Sequence, residues 1–276
     1  MWSLKSWQGR FLPHSGSDRL RSYAGWCNAV EGNTTFYATP SRETVATWAE
    51  QTPADFRFVL KLPREITHSH RLADVSGLPE FLRAIEPLGD RTHALWVQLP
   101  GSFGPGDLPV LSRFLRGLPG HLRYAVEVRD PAFFHDPHRL EEVLAGVGAE
   151  WVPFDTTEFF RTPPTSDAER DAWMKKPRMP LRTVALTDQP IVRYLGRDAV
   201  DRTVGGWQRW VPVVAGWLRE GRSPTVFVHT PDNADAPALC RRFHDEVRAL
   251  VPELEPLPVS PDPSSLPEAE GPPTLF

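Results

Sequence analysis

Only two cysteines, Cys27 and Cys240, occur in 276 residues, far apart and in no C-x-x-C or other metal-ligand spacing. That scarcity excludes a disulfide framework and leaves two reduced, structural thiols as the expectation. An excess of positive charge is also missing. A net charge of −4 and a pI near 6.1 argue against a protein that coats nucleic acid, although not against a local basic pocket. No apolar run approaches the roughly 18 residues of a membrane span, and the N-terminus lacks the apolar core of a signal peptide. A cytoplasmic protein without membrane contact is expected. Two catalytic signatures are absent as well. There is no Gly-x-Ser-x-Gly elbow, and Gly101-Ser-Phe-Gly-Pro-Gly106 lacks the Lys-Ser/Thr ending of a phosphate loop, so it reads as a turn.

The chain does contain apolar residues in quantity. They make up 40% of it, with 10 tryptophans, enough for one large α/β domain, which in barrel form runs to about 250 residues. Seven short apolar runs recur: Val30 to Phe36, Phe56 to Leu62, Ala94 to Leu99, Tyr124 to Arg129, Trp151 to Asp155, Ile191 to Tyr194 and Thr225 to His229. Successive side chains of a strand point to opposite sides, so Tyr124, Val126 and Val128 share one face and Glu127 and Arg129 the other. The same alternation groups Glu31, Asn33 and Thr35, and sets Lys61, Gln98, Asp155, Arg193 and His229 at or near strand ends.

Helical patterns separate these runs. One starts at Ser41, and others cover Pro79 to Leu88, Leu108 to Leu118, Pro137 to Ala145, Trp207 to Glu220 and Ala236 to Leu250. The Trp207, Trp210, Val214, Trp217 and Leu218 stripe reads as core packing. Alternating strand and helix predicts βα units in a TIM-like barrel with a mostly parallel, closed sheet. Seven strands are one short of eight, so a first strand is expected to be truncated at Met1. The polar, Pro-rich stretch 162–181, with Lys175, Lys176 and Arg178, reads as a solvated loop or a lid. Barrel residues are expected at 1–251, and the Pro- and acid-rich 252–276 as a disordered tail.

Polar groups at the strand ends converge on the mouth of such a barrel, where active sites sit. Burying Glu31 costs several kcal/mol unless a cation such as Lys61 or Arg129 pairs with it. Glu127 and Arg129 share a face, which keeps the carboxylate ionised and lets the guanidinium clamp an anion. Lys61, His68, Arg193, Arg197 and His229 add positive charge or proton donors around the same opening. His68 and His70 are alternate residues that reach one ion in an extended segment, but no further ligands stand in a recognisable signature, and no metal is assigned. No cofactor is readable.

The segments Val30-Glu-Gly-Asn-Thr-Thr-Phe-Tyr37, Phe58-Val-Leu-Lys-Leu-Pro63 with Ile66-Thr-His68, Gln98-Leu-Pro100, Val126-Glu-Val-Arg129, Arg193-Tyr-Leu-Gly196 and Val226-Phe-Val-His-Thr-Pro-Asp-Asn233 resemble the YecE-like family, a domain of unknown function. The resemblance runs in order over nearly all of residues 1–250 and implies a TIM-like barrel with no established activity. Its motif positions correspond to Glu31, Asn33, Thr35, Tyr37, Lys61, His68, Gln98, Glu127, Arg129, Arg193 and Asn233. It places the first strand almost wholly before Met1. Many members carry a histidine where this chain has Leu195. The final Pro-Pro-Thr-Leu-Phe276 faintly resembles peptides that dock on bacterial sliding clamps.

The leading expectation is an enzyme acting on a small phosphorylated or carboxylated substrate. Glu31 or Glu127 would be the general base, His68 an acid or shuttle, Lys61 the electrostatic stabiliser, and Arg129 with Arg193 the anion clamp. Asn33 and Gln98 would orient the substrate, with Thr35, Tyr37, Asp155, His229 and Asn233 around it. The alternative is a noncatalytic ligand-binding or DNA-maintenance accessory protein whose tail recruits a partner.

Overall fold

The computed structural model describes residues 2, 4–12 and 19–258. Its strands are β1 (Ala29–Gly32), β2 (Arg57–Lys61), β3 (Thr92–Gln98), β4 (Tyr124–Glu127), β5 (Glu150–Trp151), β6 (Phe154–Asp155), β7 (Ile191–Leu195) and β8 (Thr225–His229). The α-helices are α1 (Arg19–Ala24), α2 (Thr34–Tyr37), α3 (Arg42–Glu50), α4 (Leu78–Ile85), α5 (Leu108–Arg116), α6 (Pro137–Ala145), α7 (Asp167–Lys175), α8 (Val200–Trp207), α9 (Trp210–Arg219) and α10 (Ala236–Arg248). Every ladder is parallel. β1 to β5 form one sheet in sequence order, and β6 to β8 form a second.

The strands are apolar on both faces because both are covered. Val30, Phe58, Leu60, Leu95, Val97 and Val126 point outward to the helices, in one core cluster with Phe81, Leu111 and Leu140. Val192, Tyr194 and Val228 pack outward against Trp207, Trp210, Val214 and Phe243. The Trp207, Trp210, Val214 and Trp217 stripe is therefore core, as its spacing predicts. A third cluster joins inward residues of both sheets: Val59, Ala94, Trp96, Ala125, Val152, Ile191 and Phe227. Trp96 and Phe227 stack across it, ring centroids 6.0 Å apart.

Several elements differ from the sequence reading. The closed sheet is not found among the described residues: no ladder joins β5 to β6 or β8 to β1. The run Trp151 to Asp155 is broken at Val152 and Pro153 into β5 and β6; Pro153 has no N–H to give a ladder. The run Val30 to Phe36 is a strand only as far as Gly32. Asn33 then adopts helical dihedrals and α2 follows, so period-2 alternation stops before Thr35. The predicted helix from Trp207 to Glu220 is two helices, α8 and α9, with Pro212 in the first turn of the second, where its missing N–H costs little.

Ser41 caps α3 as expected, its Oγ accepting from the Thr44 N–H at 3.2 Å. At the other end of the chain, residues 252–258 are held to α10. Arg248 Nε donates to the Leu254 carbonyl at 3.0 Å, and His244 Nε2 lies 2.8 Å from that of Glu255. Contact with the folded body thus continues past Pro252. Residues 259–276, and with them Pro-Pro-Thr-Leu-Phe276, lie outside the described residues.

Candidate functional site

Parallel strands direct all their C-terminal ends to one side, and the inward residues there are Glu31, Lys61, Gln98, Glu127, Phe154, Arg193 and His229. All but His229 are buried. Their register brings Gln98 beside Glu127 and Phe154 beside Arg193. Each step inward along these strands returns to the apolar interior, so the polar layer lies on a dry floor of Trp96 and Phe227.

Two carboxylates organise the layer. Glu31 Oε1 lies 2.7 Å from Lys61 Nζ and 3.5 Å from Arg193 Nη2, and its Oε2 lies 2.7 Å from His229 Nε2. Glu127, fully buried, accepts from Arg129 Nε at 2.7 Å and from Arg193 Nη1 at 3.4 Å. Arg193 therefore bridges the two glutamates while its guanidinium sits 4.6 Å from the Phe154 ring centroid. Lys61 also donates to Gln98 Oε1 at 2.9 Å and lies 5.0 Å from the Trp96 ring centroid.

Burial alone pushes both carboxyls up, but the neighbouring cations prevail. Arg193 and Lys61, helped by the hydrogen bond from His229, hold Glu31 well below the usual carboxylate range. Arg129, Arg193 and Lys61 lower Glu127 as well. Both glutamates are ionised at neutral pH and are poor proton acceptors. Burial, reinforced by Arg193, brings the Lys61 ammonium down to about 8 against the pull of Glu31. Burial also lowers His229. Its Nδ1 lies 3.1 Å from Asn233 Oδ1, which also accepts from the Thr230 N–H at 3.3 Å.

His68 stands on a π-helical turn, Glu65–Ser69, a wide turn of the kind found at functional sites. Its Nδ1 lies 2.9 Å from Thr67 Oγ1 and its ring meets Phe36 edge-on. Burial and then Arg129 bring its pKa down to about 4, so it is neutral at pH 7. His70 lies 3.8 Å from Asp74. Among the described residues no three His, Cys, Asp or Glu side chains are grouped to hold a metal.

The remaining expected positions are distributed differently. Asn33 lines two cavities beside Glu31, and Asn233 holds a left-handed backbone at the end of β8. Thr35 is buried and donates to the Gly32 and Lys61 carbonyls, which ties β1 to β2. Tyr37 is 79% exposed at the end of α2. Asp155 faces away from the polar layer: it accepts from Thr157 N–H, Thr157 Oγ1 and Trp210 Nε1. Arg197 is buried against Glu169 and donates to the Phe159, Thr162 and Pro163 carbonyls. Its work is to fasten the segment after β6.

That segment supplies Lys176, a residue the strand pattern does not select. With Phe154, Arg193, Leu195, His229, Thr230, Pro231 and Asn233 it lines a cavity of about 40 Å³. Burial and the charges of Arg193 and Arg129 bring its ammonium down to about 8. The one sequence signal near it is the basic group Lys175, Lys176 and Arg178, in a stretch that reads as a solvated loop or a lid.

No described helix is long and apolar enough to cross a membrane. The profile of the family described as "Protein of unknown function DUF72" matches residues 1–264. The UPF0759 protein YecE of Escherichia coli K12 is 39% identical over 269 residues, 96% of this chain and 97% of that protein. Among solved structures, a DUF72 family protein of Thermotoga maritima MSB8 superposes with a TM-score of 0.66 at 21% identity, over 90% of this chain and 96% of the other. One from Enterococcus faecalis V583 gives 0.63 at 19%, over 85% and 94%. These structural likenesses support the α/β fold, and the sequence matches settle the family: the chain belongs to the DUF72 family.

Proposed function

We propose that the strand-end polar layer is the active site of an enzyme acting on a small anionic substrate, a phosphate or a carboxylate, by acid/base chemistry. The two sheets are read as walls of one TIM-like barrel, because Val59, Trp96, Val152, Ile191 and Phe227 share one interior cluster. The observation that carries the functional reading is the charge balance. Lys61, Arg129 and Arg193 face two carboxylates, Glu31 and Glu127, with both nearby histidines neutral. A layer this dry holds an uncompensated cation at a cost, and a bound anion removes it.

The proton-handling group is assigned to Lys61. An ammonium with its pKa at about 8 exchanges a proton near neutral pH, whereas Glu31 and Glu127, each gripped by cations, do not. Glu31 holds Lys61 in place, and His229 fixes the second oxygen of Glu31. Arg129, the most accessible of the three cations, meets the substrate first, and Asn33 and Gln98 orient it.

The test is calorimetric titration with inorganic phosphate and with acetate. Wild-type protein is expected to bind at least one of them, and Arg129→Ala to weaken that binding about tenfold. No binding of either anion at tens of millimolar would sink the anionic reading. Turnover of a panel of phosphate esters and hydroxy acids, abolished by Lys61→Arg, which keeps the charge but holds its proton, with anion binding retained, would separate the enzyme from a passive receptor.

A further inference from the structure

We propose that Lys176, carried on the chain between β6 and β7, is a ligand-binding residue, and that the anion it closes on is doubly charged: a tetrahedral oxyanion or a dicarboxylate. The inference rests on the anionic reading above and narrows it.

Three observations meet in one place. The Lys176 ammonium makes no ion pair or hydrogen bond among the described residues, yet it is half-buried against Phe154, Arg193, His229 and Asn233. A half-buried lysine without a partner gives up hydration for nothing within the protein. The Nε–H of Arg193, which lines the same cavity and is 6% exposed, is buried without an acceptor, although the two Nη groups of that guanidinium are engaged with Glu31 and Glu127. The unpaired ammonium thus borders a cavity of about 40 Å³ whose wall includes Arg193, the residue with the unpaired guanidinium N–H. That is room for about three waters, the scale of a small oxyanion.

Adding Lys176 to the layer makes four cations, Lys61, Arg129, Lys176 and Arg193, against Glu31 and Glu127. The excess of two is neutralised by a dianion and left half-compensated by a monoanion. The anchoring of the segment fits the same use. Arg197 and Glu169 clamp its start, and Thr156 Oγ1 donates to the Pro177 carbonyl at 3.1 Å directly after Lys176. The lysine is therefore delivered by a fastened backbone and only its side chain has to move.

The experiment titrates sulfate, malonate and acetate into wild type, Lys176→Gln and Lys176→Arg. Wild type is expected to bind sulfate or malonate at least tenfold tighter than acetate, and which of the two binds better distinguishes a tetrahedral oxyanion from a dicarboxylate. Lys176→Gln is expected to lose about tenfold for the dianion and little for acetate, and Lys176→Arg to restore most of the loss. The melting temperature of Lys176→Gln should equal or exceed that of wild type, since an unpartnered half-buried charge is removed and no folded contact is lost. Dianion affinity unchanged in Lys176→Gln, or acetate bound as tightly as the dianions, overturns this inference while leaving the anionic site intact. Absence of binding by all three anions overturns both readings.

Discussion

A histidine that refuses protons leaves a mark on the pH dependence of folding. His68, half-buried between Phe36 and the cations of the polar layer, has its pKa lowered from 6.5 to about 4, by burial first and by Arg129 next. Between those values the unfolded chain binds a proton that the folded site excludes, so the His68 contribution to stability falls as pH drops from about 6.5 through about 4. Allowing for its exposed edge, about 1–2 kcal/mol is at stake. The difference between the unfolding free energies of wild type and His68→Gln, followed from pH 7 to pH 4, should narrow by that amount. A flat difference would place His68 in water. The same shift changes the role assigned to this residue from sequence. A neutral imidazole at pH 7 accepts a proton or a hydrogen bond and is not the acid, and burial together with the neighbouring charge, both invisible in one dimension, decides that. Glu31 and Glu127 are a parallel case. Strand parity finds both, but their multiple cation contacts, which remove them as bases, come from β2, from β7 and from the chain just after β4.

At the scale of elements, parity is informative where a strand runs regularly to its end and fails where the backbone changes period. Lys61, Gln98, Glu127 and His229 end their strands, Arg193 lies two residues from the end of β7, and all five face inward. Thr35 and Tyr37 follow the turn into α2, and their period becomes helical. Asp155 is out of phase because Val152 and Phe154 take the inward positions on either side of Pro153. No apolar period marks α7, since a short polar helix on a loop has no broad apolar face to repeat, and Lys176 stands out only as a member of a basic group. Asp155 instead joins the start of the loop to α9 by accepting from Thr157 and from the buried Trp210 Nε1 at 2.8 Å. Asp155→Ala leaves that indole N–H without a partner and should cost about 2–3 kcal/mol, measured by chemical denaturation. Sulfate affinity should stay within about twofold of wild type, because the side chain faces away from the layer. A large loss of affinity at unchanged stability would return Asp155 to the site.

Across the whole molecule, the alternation of strand and helix was legible because each βα unit carries its own period, whereas closure depends on a meeting of ends that no local pattern encodes. Among the described residues β1 pairs only with β2, and β8 only with β7. Their free edges are bridged by side chains instead. His229 reaches Glu31 at 2.7 Å at one end, and Arg57 of β2 donates to Thr225 Oγ1 at 3.0 Å at the other. Between them lie cavities lined in part by Tyr23, Cys27, Phe227 and Cys240. Side-chain bridges hold two edges in place but do not protect backbone amides, because an edge strand keeps an unpaired row of N–H and C=O groups. Hydrogen exchange should therefore proceed faster in β1 and β8 than in β2, β3 and β7, with a second weak point at residues 152–153 where the ladder is interrupted. Protection of β1 and β8 equal to that of the inner strands would instead mean that a ladder joins them and that the wall is continuous. The seam matters to the site because Glu31 and His229 stand on opposite sides of it. Their contact is the one link in the polar layer that crosses from β1 to β8, so a seam that breathes moves Glu31 relative to His229 and loosens the hold on Lys61.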